Sequence, residues 1–443
     1  MVGLGVSCWG MADLVVDRTR FDAYLEALVQ AVGHADRRWP LEAYVTGLLL
    51  PGERKSVEPM AARIDPDHVS RAHQALHHFV ASSPWDAGVV LRVAREYALE
   101  LLERQAPVAA WVVDETSFPK QGRHSVGVAR QYCGALGKRA NCQVAVSVSL
   151  ANRSVSVPAG FRLYLPKAWA PDQERRQRAG VPPELAFQTK WKIALTLIEA
   201  LLADDVPRAP VVADSTYGDP TAFREALTAS GLRYVLGVKS DVTVWPPGLE
   251  PKRPQRKRAS GRAPTRLKRD EDHKPVSVKR LAQTLPEDAW REVRWREGTK
   301  GVLASRFAAL RVRPAHRDNE RQEPRPHEWL LIEWQNGASE PSKYWLSTLH
   351  ENVDVGELVG LAKIRWRIER DYQELKGELG LDHYEGRNWR GFHHHAVLCI
   401  AAYAFLAAER GRLSPPRAPT RLQALPLPSG FTPRGSPRAP RTP

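Results

Sequence analysis

The stretch AAWVVDETSFPK, residues 109–120, opens like a segment that should be buried and then does what a buried segment should avoid. Ala109 to Val113 is a short apolar, partly β-branched run, the pattern of a strand packed on both faces. Asp114 and Glu115 follow at once. Either the acids end the strand at a solvent edge, or the strand holds a carboxylate where chemistry needs one. A second run of the same kind, APVVADSTYGD at 209–219, delivers Asp214, again with a small hydroxyl residue close behind.

The surrounding pattern supplies a context for both runs. Residues 142–151 alternate as a strand and 154–166 read as another; 187–205 form an amphipathic helix, 222–230 a helix and 232–241 a strand. The order β β β α β α β is that of a ribonuclease H-like α/β core. In such a sheet the two acid-bearing strands can lie side by side, so that their carboxylates meet at one edge. Like charges a few Å apart are costly unless a cation sits between them, and an oxygen-only ligand set suits Mg²⁺. Side chains alternate along a strand, so only one of Asp114 and Glu115 can face that edge. Asp114 is the expected ligand and Glu115 an exposed strand-end charge.

The rest of the chain divides around this core. Residues 1–105 carry helical periodicity from about residue 20 and form an expected N-terminal α-helical, DNA-binding domain. Residues 106–245 are the first part of the ribonuclease H-like catalytic core, 246–352 a basic loop and a β-rich insertion, and 353–413 C-terminal helices that complete the core. Within the insertion, 251–269 hold nine basic side chains and no acidic one. From 354 a single long helix is expected, capped by Asp354 with Glu357 three residues on, its core stripe being Leu361, Ile364, Ile368, Leu375 and Leu379. The tail 414–443, with nine prolines, five arginines and no acid, is expected to be disordered.

Bulk composition narrows the partners. The 443 residues contain 65 Lys+Arg against 50 Asp+Glu, a net charge of +15, which favours a polyanion. The longest uninterrupted apolar run, Ala396 to Ala408, has 13 residues where a membrane span needs about 20, so it reads as a buried helix. The N-terminus has no basic region ahead of an apolar one, and Met11 offers a second possible start. Four cysteines, Cys8, Cys133, Cys142 and Cys399, form no CxxC pair, which argues against a zinc site or a disulfide framework and for a cytoplasmic protein.

A third carboxylate comes from RWRIERDYQELKGELGL, 365–381, where Arg365, Glu369, Tyr372 and Lys376 fall on one helical face beside the core stripe. Glu369 can reach the sheet edge, and Arg365 and Lys376 would flank it with positive charge where a phosphate backbone must lie. The plainer alternative is an Arg365 to Glu369 ion pair one turn apart, worth only a few tenths of a kcal/mol.

These blocks resemble the DDE transposases of bacterial insertion sequences, most closely insertion-sequence family 701, related to the family 4 group. The resemblance rests on VVDETSFPKQGRHSVGVARQYCGALGKRANCQVAVSVSLA (112–151), LYLPKAWAPDQERRQRAGVP (163–182), VVADSTYGD (211–219) and RWRIERDYQELKGELGLDHYEGRNWRGFHHH (365–395). It implies that Asp114, Asp214 and Glu369 are the three catalytic, metal-binding acids of a site using two Mg²⁺, for which Mn²⁺ can substitute. The related group carries a Tyr, Arg, Glu, Lys signature around the third acid; Arg365, Glu369 and Lys376 match its spacing, while the tyrosine position is Ala362. The resemblance further implies double-stranded DNA partners, the terminal inverted repeats of an element and a target, bound by a homodimer. It also implies an insertion touching the element's ends, where Trp290 and Trp295 could stack on an unpaired base or simply pack in the core.

Two further features invite a reading. Residues 56–64 and 69–80 have helix-turn-helix spacing, and the second helix places Arg71, Gln74 and His78 near one face, residue types able to contact bases or phosphates. His393 to His395 point in three directions along a helix, which favours core or DNA contacts over a metal cluster. Against an active transposase stand a catalytically silent, transposase-derived DNA-binding protein and a ribonuclease H-like nuclease without strand transfer. Survival of all three acids favours the first over the silent form.

Overall fold

A computed structural model describes residues 17–252, 266–267, 273–298 and 301–413. The expectations for Met11, for most of the basic loop 251–269 and for the tail 414–443 lie outside the described residues.

Five helices come first: α1 (Arg18–Val32), α2 (Arg38–Leu49), α3 (Val57–Ile64), α4 (Val69–Ala81) and α5 (Ala87–Gln105). The first shows why they form. Asp17 caps it by accepting the Arg20 amide, Gly33 ends it in the left-handed region at φ 71°, and Phe21, Tyr24, Leu25, Leu28, Val29 and Val32 recur at helical spacing as its buried stripe. The helix-turn-helix spacing is present as α3 and α4, packed on each other.

Strands β1 (Ala110–Pro119), β2 (Ala129–Cys133), β3 (Lys138–Ala151) and β4 (Ser156–Leu163) follow, then helices α6 (Gln173–Arg178) and α7 (Lys190–Ala203). Next come β5 (Val211–Ala213), the single turn α8 (Ser215–Gly218), α9 (Thr221–Ala229) and β6 (Tyr234–Val238). In the sheet these lie in the order β4, β3, β1, β5, β6; β1 pairs antiparallel with β3 and parallel with β5, and β5 pairs parallel with β6. β2, which local patterning did not mark, pairs with the first half of β3. β1 also runs further than its apolar segment. Its parallel pairing with β5 stops at Val112, but its ladder with β3 continues to Pro119, because β3 is long enough to keep pairing.

The later interval continues this sheet. β7 (Thr243–Trp245), β8 (Val276–Ser277), α10 (Val278–Gln283), β9 (Arg291–Gly298), β10 (Gly301–Pro314), β11 (Glu328–Trp334) and β12 (Lys343–Ser347) follow in the chain. β12 pairs antiparallel with β6, so that β12, β11 and β10 extend the core sheet at that edge.

Three helices close the fold: α11 (Val355–Lys363), α12 (Trp366–Gly377) and α13 (Trp389–Leu413). The single helix expected from 354 is thus two, broken at Ile364 and Arg365. The stripe hides the break, since Leu361, Ile364, Ile368, Leu375 and Leu379 are all buried. α12 restarts through tight amide contacts, Arg367 to the Ile364 carbonyl at 3.0 Å and Ile368 to that of Arg365 at 3.2 Å. Asp354 caps α11 by accepting the Gly356 amide at 2.8 Å. α13 is long and apolar enough to cross a membrane, yet 94% of its apolar window is buried inside the fold, against α5, α2, α4 and β4. Its Glu409, itself buried, takes both ends of the Arg20 guanidinium at 2.9 and 2.6 Å, and Tyr24 donates to the Ala401 carbonyl.

Candidate active site

Asp114 and Asp214 stand at the same level on neighbouring strands. The last shared row of the parallel ladder is Val112 opposite Val212, and each acid lies two residues beyond it. Pleating then sorts the side chains of β1. Asp114 faces α12, where Arg365 meets it, and Glu115 faces α7, where both its oxygens lie 2.7–2.8 Å from Lys190 Nζ. Glu115 is therefore not an exposed strand-end charge, because the strand does not end there and α7 supplies a cation. Asp214 follows β5 directly and caps α8, accepting the Thr216 amide at 2.8 Å. That turn needs glycine at 218, where a Cβ would run into the Gly237 carbonyl oxygen of β6.

The third acid arrives through an arginine. Arg365 Nη1 donates to Asp114 Oδ2 at 2.7 Å and Nη2 to Glu369 Oε1 at 2.9 Å. The one-turn ion pair is present, as one half of a bridge between two of the three acids. Burial works against the Arg365 charge, but Asp114, Glu369 and Asp214 outweigh it and raise its pKa. All three acids thus share one electrostatic neighbourhood. Ala362 lies buried at the end of α11, across the helix break from Arg365 and Glu369. Tyr372 is buried and its hydroxyl meets the Ser147 hydroxyl of β3. Lys376 does not simply flank the site: its ammonium donates to the Ser117 carbonyl at 2.8 Å over the Phe118 ring, and burial lowers its pKa.

The other expected contacts are dispersed. Arg71, Gln74 and His78 are exposed on α4. Trp290 is buried in an edge-to-face contact with Trp334, a core role. Trp295 is half-buried with its ring 4.7 Å from Lys363 Nζ, and Lys363 in turn binds both oxygens of the buried Glu333 at 2.6 Å. His393, His394 and His395 are core groups bonded respectively to the Leu163 amide, to the Val80 and Trp85 carbonyls, and to Tyr44 and the Gly380 carbonyl. Burial lowers each of their pKa values to about 4.

Electrostatics mark Asp114 as the strained member. Burial pushes its carboxyl up to about 7; Arg365 and the Glu115 amide pull it down, and Asp214 and Glu115 add to the rise. A carboxylate held this way gains from a nearby cation. Tyr217, fully buried on α8, adds a group that sequence reasoning missed. Its hydroxyl finds no hydrogen-bond partner among the described residues, and burial, then Glu115, Asp114, Tyr372 and Asp214, all raise its pKa. The one signal for it was a large aromatic three residues after the strand-end acid in VVADSTYG. Oxygen-only acids around an arginine counter-charge, with an unpartnered hydroxyl beside them, fit a hard divalent cation. As the side chains lie, no three metal-ligating groups converge among the described residues, since Arg365 occupies the space between Asp114 and Glu369.

Comparison with known proteins follows the same lines. Over 190 residues the chain is 31% identical to the "Probable transposase for insertion sequence element IS701" of Microchaete diplosiphon, covering 43% of this chain and 46% of that protein. The match thus spans about half the length of the curated relative. The profile described as DDE superfamily endonuclease matches residues 27–302, which include Asp114 and Asp214 and stop short of Glu369. With well over half of its residues matched in this way, the chain belongs to the DDE superfamily endonuclease family.

Proposed function

We propose that this protein is an insertion-sequence transposase that binds the terminal inverted repeats of its element, cleaves DNA there and joins the freed end to target DNA. The observation that carries the reading is the delivery of Asp114 and Asp214 to one level of adjacent parallel strands, with Glu369 tied to Asp114 through Arg365. The strand order β4, β3, β1, β5, β6 supports a ribonuclease H-like core. Asp114, Asp214 and Glu369 would hold two Mg²⁺, which supply the charge that activates an attacking oxygen and stabilises a leaving one.

The chain's own groups account for the rest. Arg365, bidentate and permanently charged, stabilises the unloaded acids and becomes available to a phosphate oxygen once they are otherwise neutralised. Lys190 keeps Glu115 turned away, so that a single carboxylate of the pair enters the site. Lys376 locks α12 to β1, fixing the height of Glu369 over the sheet. Tyr217 offers a fixed donor to a water lying among the carboxylates. The exposed Arg71, Gln74 and His78 of α4 suit the reading of duplex DNA in the major groove. Binding at two ends calls for a homodimer.

The test is cleavage of duplexes carrying the element's ends by purified protein with Mg²⁺, beside Asp114→Asn, Asp214→Asn and Glu369→Gln. Each variant should bind the ends and fail to nick them. Near-normal nicking by Glu369→Gln would remove it from the site, and nicking without strand joining would favour the simple nuclease.

A further inference from the structure

A second cationic feature is built from β9 and the first turn of α12, the helix that carries Glu369. The guanidinium carbon of Arg296 lies 3.8 Å from the centroid of the Trp366 ring, and that of Arg367 lies 4.8 Å from the same centroid. All three side chains are half-buried, and among the described residues neither arginine forms an ion pair. Trp366 is the first residue of α12, next to the Arg365 that bridges Asp114 and Glu369.

The strand is shaped for this contact. Along β9 and β10, Arg296 pairs with Leu303 and Arg294 with Ala304, so Trp295 is an extra residue in the ladder, a β-bulge. In a regular strand residues 295 and 296 would face opposite sides. Here both reach the α11–α12 elbow, Trp295 at Lys363 and Arg296 at Trp366. Bulges re-aim side chains in this way beside active sites.

Two stacked guanidiniums without carboxylates are an incomplete arrangement. Stacking uses their faces and leaves the N–H edges free in the fork geometry that suits phosphate. Burial lowers the Arg367 pKa to about 10; Asp371 opposes this, and Arg370 and Arg296 add to it, so this guanidinium is poorly solvated where it lies. An arriving anion would stabilise that desolvated charge, and the net charge of +15 makes a polyanion the natural source.

We propose that Arg296, Trp366 and Arg367 form a phosphate-binding clamp that grips a DNA backbone phosphate at the first turn of α12 and fastens β9 to the helix that carries Glu369. The proposal rests on the DNA-processing reading above and names a contact within it.

The test is metal-free binding, in EDTA, of full-length protein to a duplex carrying the element's end, over a series of salt concentrations. Arg296→Gln and Arg367→Gln should each weaken binding about ten-fold or more near 0.1 M salt and lower the salt slope by about 0.9, one phosphate's share. Arg296→Lys, which keeps charge and loses the stacked fork, should fall between. Arg291→Gln, at an exposed position on the same strand, is the control for general surface charge. Thermal melting identifies any variant that has failed to fold, and Arg296→Gln then carries the test. Unchanged affinity and slope in folded Arg296→Gln, or an equal loss in Arg291→Gln, overturns the clamp while wild-type binding and cleavage still uphold the transposase reading. Failure of the wild type itself to bind duplex DNA overturns both.

Discussion

Replacing Arg365 by glutamine should loosen the unloaded protein and tighten its hold on Mg²⁺. The Glu369 half of the bridge is a one-turn pair whose acid side chain is 61% exposed, worth at most about 0.5 kcal/mol. The Asp114 half reaches a carboxylate only 9% exposed, where losing a charged partner costs about 1–3 kcal/mol. Together these should lower the melting temperature of metal-free protein by about 1–4 °C. Mg²⁺ would compete with the guanidinium for the same oxygens, so freeing them should tighten apparent Mg²⁺ affinity by about 5- to 150-fold, the same energy read as an equilibrium constant. Sign depends on pH. Arg365 holds the Asp114 pKa down, so without it the proton is harder to displace, and near neutrality that loss opposes the gain. Thermal melts across Mg²⁺ concentrations at pH 8.5, in EDTA-treated protein, isolate the gain. An unchanged melt, or a weaker response to Mg²⁺ at that pH, would refute the view of Arg365 as a stand-in for the ion.

Four other outcomes are expected. Asp114 has its carboxyl raised from 3.8 to about 7 in the folded protein, so its contribution to metal-free stability is present below about pH 4 and lost as pH rises through 7; Mg²⁺ affinity should rise through the same window by up to tenfold per unit, seen by calorimetric titration at several pH values. Tyr217→Phe removes a buried hydroxyl that has no partner, so melting should hold steady or rise by the equivalent of about 1 kcal/mol, while nicking slows about tenfold in single-turnover assays. Glu333→Gln leaves the Lys363 ammonium short of its buried counter-ion and should cost about 3–5 kcal/mol in denaturant unfolding, whereas Glu333→Leu with Lys363→Leu should cost less. Gly218→Ala pushes a methyl into the Gly237 carbonyl, and circular dichroism melts should show severe destabilisation or no folded product.

Local chemistry made the acids legible. Apolar, partly β-branched runs ending in aspartate stand at Asp114 and Asp214, the two positions that the sheet brings level. Helices with apolar stripes, such as α7 and α9, were legible for the same reason. Long-range pairing was not. Nothing in KYWLS says that it will lie against YVLGV a hundred residues earlier, so the continuity of the sheet through β12 could not be read. The helix break at Ile364 was invisible because no glycine or proline marks it and the buried stripe runs through it. DETSFP looks like a strand end, and only the length of β3 keeps it in the ladder. Arg365 appeared as a helical ion pair, and its second bond, to Asp114, depends on packing between distant elements.

Pairing of β12 on β6 sets the order in which the molecule can become competent on the ribosome. The strands bearing Asp114 and Asp214 can pair with each other once residue 238 has emerged, but the β6 edge stays open until 344–347 arrive, and Glu369 follows later still. The interval between the second and third acids, 155 residues (369 − 214), takes roughly 10–30 s to synthesise at 5–20 residues per second. For that time the nascent chain holds Asp114 and Asp214 without Glu369, so on the proposed reading a chain interrupted anywhere before Glu369 would carry the N-terminal helices and two of the three acids without the means to cut.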